Sequence, residues 1–141
     1  MLDPAQLAPR VLAALTRPGS APLALEGRSG SGKTTLLRSL ARSAAPQTVW
    51  YSAFDLTQEL VGAIREGSYD VCRARIAEDP RPICIEHLED LRGKPATRDE
   101  VRRLLLSAAA HRPVVVTLTR ARGDAEVLEW LRPWAEVHSV D

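Results

Sequence analysis

The chain of 141 residues has little of several residue types, and each shortage narrows its class. Its two cysteines, Cys72 and Cys84, have no metal-binding or redox spacing, so we expect packed thiols in a reducing cytoplasm rather than a disulfide. The net charge of +1 excludes a strong overall attraction to nucleic acid and leaves only local contacts. No apolar run is long enough to cross a membrane and no signal peptide is present, so we expect a cytoplasmic protein without membrane contact.

The chain does have 45% hydrophobic residues, enough for the core of one domain over residues 1–141. Short apolar segments alternate along it with segments of helical apolar spacing. The predicted strands are 22–26, 48–52, 83–85, 113–118 and 137–140. Strands that are apolar throughout are buried on both faces. The alternation therefore predicts a three-layer α/β fold, with a parallel five-stranded sheet flanked by helices.

Three segments have a capping pattern, in which a polar N-cap residue precedes a Glu or Gln by three positions. They predict helices that begin at Asp3, at Asp55 and at Thr97. A further short helix is predicted over about 69–77. These helices would supply the layers that cover the sheet.

The strongest signal is the segment 27–35, which matches the phosphate-binding loop pattern G-x-x-x-x-G-K-[ST] at every fixed position. A predicted strand precedes it and a helical apolar stripe follows, a context that a flexible Gly/Ser turn lacks. The residues assigned to nucleotide binding are Gly27, Arg28, Ser29, Gly30, Ser31, Gly32, Lys33, Thr34 and Thr35. Lys33 would neutralise the β- and γ-phosphates, and the Thr34 hydroxyl would bind the metal. The predicted cofactors are ATP and Mg²⁺.

The second chemical element is the segment Ile-Cys-Ile-Glu-His at 83–87. P-loop enzymes need an acid at the end of a buried strand beside the loop, where it holds magnesium through water, and Glu86 is placed for that role. Members that hydrolyse ATP usually have a second acid next, which orients or deprotonates the attacking water; here that residue is His87. An imidazole with a pKa near ~6.5 could accept the proton, although beside magnesium it would be a poor base. The alternative is a partly buried histidine without a catalytic role.

Several blocks, in order, resemble the ATPase domain of the bacterial replication initiator DnaA and its relatives in the AAA+ superfamily. They are the segments 21–37, 52–61, 85–94 and 97–100. The resemblance extends over most of the chain, from about residue 5 to 141. It implies an AAA+ core of the ASCE type. Because the chain ends at Asp141, we expect the family's helical lid and its double-strand DNA-binding domain to be absent.

The resemblance also implies roles for individual residues. Thr119 matches the polar sensor that touches the γ-phosphate, with an ordinary strand-end threonine as the alternative. Arg132 lies next to the position of the family's arginine finger, which Pro133 occupies here, and its alternative use is a surface salt bridge. Val61 and Lys94 match positions that contact single-stranded DNA, although Lys94 could equally be a solvated loop lysine.

Three functions fit these features. The first is an ATP-dependent regulator or partner of replication initiation or helicase loading, which would associate with a DnaA-type or loader protein and with single-stranded DNA. The second is a non-hydrolysing ATP-binding module kept for protein contacts. The third is a small-molecule P-loop kinase, which would need an arginine-bearing lid that the sequence does not show. We adopt the first, with weak or absent ATP hydrolysis.

Overall fold

The computed structural model describes residues 4–120 and 125–140. Within these ranges helices and strands alternate, as the sequence predicts. The helices are α1 (Pro4–Thr16), α2 (Lys33–Ala44), α3 (Ala53–Arg65), α4 (Tyr69–Glu78), α5 (Pro95–Ala109) and α6 (Ala125–Leu131), with a 3₁₀ turn at Leu88–Leu91. The strands are β1 (Leu23–Gly27), β2 (Val49–Ser52), β3 (Ile83–Glu86), β4 (Val114–Thr119) and β5 (Glu136–Ser139).

The five strands form one parallel sheet in the order β2-β3-β4-β1-β5, which confirms the predicted architecture. Every residue of β1 and β3 is buried, whereas the edge strands β2 and β5 are only partly covered. The inner strands are therefore apolar along nearly their whole length, because helices cover both of their faces. Strand β4 lies between the acid-bearing strand β3 and the loop-bearing strand β1.

Successive residues of the inner strands point to opposite faces of the sheet and divide the core in two. On one face, α1 and α2 pack over β1 through Leu23 and Leu25, and Cys84 belongs to this cluster. On the other face lie α3, α4, α5 and α6, with Cys72 among their buried residues. Both cysteines are free and buried, so the prediction of two packed thiols is confirmed. Burial raises the pKa of the Cys84 thiol to about 12.

Two helices begin earlier than the capping patterns predict. Helix α3 begins at Ala53, and its N-cap is Ser52, whose hydroxyl accepts a hydrogen bond from the Asp55 N–H at 3.0 Å. Asp55 therefore lies inside the first turn instead of capping it. Ser52 combines two roles, since it also ends strand β2, and the strand runs directly into the helix.

Helix α5 begins at Pro95 and not at Thr97. A proline in the first turn has its backbone already set for a helix and needs no N–H partner, so it moves the start towards the N-terminus. Lys94 occupies the N-cap position without a side-chain cap. The predicted N-cap Asp3 of the first helix lies outside the described residues.

The remaining element bounds differ from the predicted ones by one residue. Helix α4 ends at Glu78 and strand β5 covers Glu136–Ser139. In the described part of the chain, no helix has both the length and the apolar character needed to traverse a bilayer. The longest described helix is α5, with 15 residues.

Candidate nucleotide-binding site

The phosphate loop, defined here as residues 27–35, connects the end of β1 to the start of α2. Gly30 and Gly32 have φ angles of +82° and +88°, a left-handed conformation that glycine adopts without steric cost. Gly27 is required for a different reason. A Cβ at this position would lie 2.1 Å from the backbone oxygen of Val140, so any side chain would push two chain segments apart. The left-handed backbone at Gly30 and Gly32 and the close approach of Val140 to Gly27 thus explain why glycine occupies these three positions.

Lys33 is 5% exposed, and its Nζ donates a hydrogen bond to the carbonyl oxygen of Arg28 at 3.2 Å. The side chain therefore turns back over its own loop. Helix α2 starts at this residue, and its N-cap Gly32 provides no side-chain cap. The first N–H groups of a helix have no partner within the helix and carry a partial positive charge. The loop thus presents a buried ammonium group and a helix N-terminus, the combination that suits a phosphate.

Glu86 is the last residue of β3 and is 8% exposed. Its Oε1 accepts a hydrogen bond from Nη2 of Arg38 at 2.6 Å, which makes an ion pair between the strand end and helix α2. The guanidinium carbon of Arg38 also lies 4.4 Å from the ring centroid of Trp50, on the edge strand β2. The sequence placed the acid correctly at the strand end. It gave no signal for the arginine that pairs with it.

His87 has a φ of 63° and a ψ of 49°, and is the only non-glycine residue with a positive φ in the described ranges. Its N–H donates to the hydroxyl of the buried Thr117 at 3.3 Å. This left-handed turn directs the imidazole outwards, and the side chain is 51% exposed. The side chain is therefore more exposed than the alternative of a partly buried histidine implied, and its catalytic role stays a prediction. The ring is accessible to solvent.

Glu89 is a site residue that the sequence reasoning missed. One carboxylate oxygen, Oε2, lies 3.0 Å from Nδ1 of His87, and the other, Oε1, accepts a hydrogen bond from the Thr119 N–H at 2.9 Å. A single carboxylate thus links the turn after β3 to the end of β4. The available signal was a second acid two positions after His87, but only the fold shows what it contacts.

Thr119 lies opposite Gly27 in the register of β4 and β1, so the predicted sensor is beside the first loop residue. The next residue, Arg120, donates its backbone N–H to the Gly27 oxygen at 2.8 Å and its guanidinium to Glu26 at 3.4 Å. Glu26 is 2% exposed and also accepts a hydrogen bond from Ser139. The base of the loop is therefore tied to two neighbouring strands.

The other predicted site residues lie on separate elements. Val61 is half-buried on α3, Lys94 is exposed ahead of α5, and Arg132 is exposed just after α6. Among the described residues, no recorded hydrogen bond or ion pair joins any of these three to the phosphate loop. The structure therefore gathers the loop, Glu86, His87 and Thr119 at the carboxyl end of the sheet.

The phosphate loop follows β1, which is the second strand from one edge of the parallel sheet in the order β2-β3-β4-β1-β5. This arrangement defines the fold class, a three-layer P-loop NTPase core. No protein-family model and no curated protein matches the chain. The fold itself is DnaA-like, as the following structures show, and the resemblance predicted from the sequence is confirmed at this level.

The structure of the replication initiator DnaA bound to AMPPCP and single-stranded DNA matches 96% of the chain, with a TM-score of 0.73 and 21% identity. Domain III of the Thermotoga maritima replication initiation protein DnaA matches 96%, with a TM-score of 0.75 and 17% identity. The DnaC helicase loader matches 97%, with a TM-score of 0.66 and 16% identity. The chain spans 46% and 61% of the two DnaA chains and 88% of the loader.

Proposed function

We propose that the chain binds ATP at the phosphate loop and uses the bound state to act in, or to regulate, replication initiation or helicase loading. The observation that carries nucleotide binding is the buried Lys33 at the uncapped N-terminus of α2. The replication role is supported by the fold, which is shared with a DnaA structure that binds AMPPCP and single-stranded DNA and with a helicase loader.

In this proposal the backbone N–H groups from Gly27 to Gly32 bind phosphate oxygens, while Lys33 exchanges the Arg28 carbonyl for the β- and γ-phosphates. A charge-assisted hydrogen bond to a phosphate is stronger than one to a neutral carbonyl, so the exchange is favourable. The remaining loop side chains, Arg28, Ser29 and Thr35, are exposed at the mouth of the site, whereas Ser31 is half-buried.

The residues present suit a magnesium ion, which prefers oxygen ligands and keeps several waters when it binds with phosphates. Thr34, the second residue of α2, is half-buried beside Lys33 and would offer its hydroxyl. Glu86 would hold one of the metal's waters through its carboxylate. When bound, the ion would neutralise charge on the phosphates.

We propose that hydrolysis is slow or absent. The residue after Glu86 is an imidazole instead of an acid, and it is half exposed to water. Glu89 lies against Nδ1 of His87 and so leaves Nε2 as the nitrogen available to a water. Such a ring is a weak replacement for a buried carboxylate base. Thr119, opposite Gly27, would report the presence of a γ-phosphate through the end of β4.

A second candidate is a non-hydrolysing ATP-binding module kept for protein contacts. It is favoured by two large apolar side chains at the junction of α3 and α4: Ile64 is 59% exposed and Val71 is 72% exposed. The two side chains line one surface hollow, and contiguous exposed apolar groups often mark contact surfaces. Val61 and Lys94 as contacts for single-stranded DNA, Arg132 as an arginine finger, and the cytoplasmic location remain proposals.

The first test is equilibrium binding of a fluorescent ATP analogue to the wild type and to Lys33→Ala. We expect the variant to lose about a hundredfold or more in affinity while keeping its circular dichroism spectrum, since the lost interaction is a charge-assisted contact with phosphate. Arg42→Ala removes a positive charge from the last turn of the same helix and is the matched control. Unchanged affinity in Lys33→Ala would refute the assigned site.

The second test is a pulldown with a DnaA-type protein and with a helicase loader, each in the presence of ATP, of ADP or of no nucleotide. We expect association that depends on the nucleotide and disappears in Lys33→Ala. If the wild type and Lys33→Ala both capture the partner equally well with and without nucleotide, the result would contradict the regulatory role and favour the interaction module. It would leave the binding assay above unaffected.

A further inference from the structure

The ion pair between Arg38 and Glu86 joins the two halves of the candidate site. Helix α2 begins at Lys33, so the helix that presents the phosphate-binding ammonium group also carries, five residues later, the guanidinium that contacts the strand-end acid. The Nη2–Oε1 distance is 2.6 Å, so the two groups form a close charge-assisted hydrogen bond. The acid proposed to serve the metal is therefore already paired with a cation of the chain.

Arg38 is held from two sides. The carboxylate of Glu86 accepts its hydrogen bond, and the face of the Trp50 ring lies 4.4 Å from the guanidinium carbon. A guanidinium gains electrostatic energy from the face of an aromatic ring, and gains less when it is exposed to water. The Arg38 side chain is 49% exposed, so water screens part of this energy. The ring also restricts where the guanidinium can move.

The Glu86 side chain is only 10% exposed, so water compensates its charge poorly. A guanidinium carries its positive charge at every accessible pH, and Arg38 therefore neutralises this carboxylate permanently. A hydrated magnesium ion attracted to the same carboxylate would meet a group whose charge is already balanced and a second cation beside it. Arg38 and the magnesium ion would therefore compete for the Glu86 carboxylate.

We propose that Arg38 is an internal counter-cation for Glu86 and that it makes nucleotide binding at the phosphate loop only weakly dependent on Mg²⁺. The inference rests on the proposed function, since it concerns the same loop. It assigns Arg38 as a residue that determines how far the site depends on the metal. Removing the guanidinium leaves a nearly buried carboxylate without its partner, and a divalent cation then becomes its best compensation.

The experiment measures the affinity for a fluorescent ATP analogue twice, at saturating Mg²⁺ and in EDTA. It compares the wild type with Arg38→Gln, Arg38→Lys and Arg42→Gln. Arg42 lies one turn further along α2, is exposed and lines the same hollow beside Trp50, so it controls for the loss of one positive charge. Thermal unfolding of each variant establishes that it is folded.

On removal of Mg²⁺, we expect the affinity of the wild type and of Arg42→Gln to fall by no more than about threefold. The affinity of Arg38→Gln should fall by a factor about ten times larger, because one balancing charge has been removed. Arg38→Lys keeps the charge and should stay close to the wild type. If Arg38→Gln does not fold, Arg38→Lys still tests the inference. Its affinity for the nucleotide must then depend on Mg²⁺ as weakly as that of the wild type.

Equal dependence on Mg²⁺ in the wild type and in Arg38→Gln would overturn the inference. So would an affinity that falls equally with and without the metal in Arg38→Gln, since Arg38 would then act on the phosphates directly. Both outcomes leave the proposed function intact, because Lys33→Ala would still abolish binding. Failure of the wild type to bind the nucleotide at all would remove the proposed function and this inference together.

Discussion

The phosphate loop and the acid turn, defined as Glu86 to Leu91, lie at the same carboxyl end of the parallel sheet, at the ends of β1 and β3, but are built differently. In the loop, positive φ angles fall on glycines and the cation Lys33 is buried. In the turn, the positive φ falls on His87, and Glu89 contacts both the His87 ring and the Thr119 N–H. Glu86 contacts Arg38 instead of an open cavity.

This difference separates two capacities that usually occur together in P-loop enzymes. The loop brings together a helix N-terminus and the buried ammonium of Lys33, which donates to a backbone carbonyl. In the turn, Glu86 pairs with Arg38, and Glu89 contacts His87 and the Thr119 N–H. Binding needs only the first arrangement, while hydrolysis needs a positioned base in the second. We therefore propose a nucleotide-binding protein with slow or absent turnover.

The largest effect is expected for Gly27→Ala in the loop. The new Cβ would lie 2.1 Å from the Val140 oxygen and 2.9 Å from the Ser31 hydroxyl, so backbone must move. We expect a loss of about 3 kcal/mol in the free energy of unfolding, at the upper end for overpacking. Urea denaturation measures it, with Gly62→Ala as the control.

The control is matched because Gly62 lies inside helix α3 and a Cβ there meets no atom within 4 Å. Alanine should then gain up to about 1 kcal/mol from its higher helix propensity. Equal stability of Gly27→Ala and Gly62→Ala would contradict the close approach at the base of the loop.

An intermediate effect is expected for His87→Glu in the turn. Glutamate restores an anionic base beside the metal position and should raise single-turnover ATP hydrolysis about tenfold, which is less than the roughly hundredfold or more of an optimised general base. His87→Gln has a similar size without a basic group and should not raise the rate. A rate in His87→Glu that is no higher than in the wild type would sink this account of the turn.

The smallest effect concerns the backbone of the turn. His87→Gly and His87→Ala both remove the contact with Glu89, but only alanine keeps a Cβ in the left-handed conformation. The cost of that conformation is roughly 1 kcal/mol for a residue other than glycine. We therefore expect His87→Gly to be about 1 kcal/mol more stable than His87→Ala in urea denaturation. A smaller free energy of unfolding for the glycine variant would show that the turn is not strained.

Much of the fold could be predicted from the sequence, because the strand signals are local. Strands such as 113–118 are continuous apolar runs, and the loop pattern has fixed residues at fixed spacing. The helix starts at Asp55 and Thr97 were wrong because other local chemistry took precedence: Ser52 supplies the cap of α3, and Pro95 begins α5.

The features missed in the site are contacts between residues far apart in the sequence. Arg38 and Glu86 are 48 positions apart, and Glu89 and Thr119 are 30 apart. No periodicity or motif encodes such pairs, since they arise only after the crossovers place β4 between β1 and β3. The sequence indicated which residue types lie at the carboxyl end of the sheet, but not which of their charges pair with one another.

The most direct measurement is a single-turnover assay in which the purified protein, in excess, is mixed with trace ATP, and bound and hydrolysed nucleotide are followed in the same sample. Single-stranded DNA is added in a second series, and Lys33→Ala is the control. We expect ATP to bind in a Lys33-dependent way and to be released largely unhydrolysed. Rapid turnover that depends on Lys33, on the order of the 1 s⁻¹ of ordinary enzymes, would contradict this expectation.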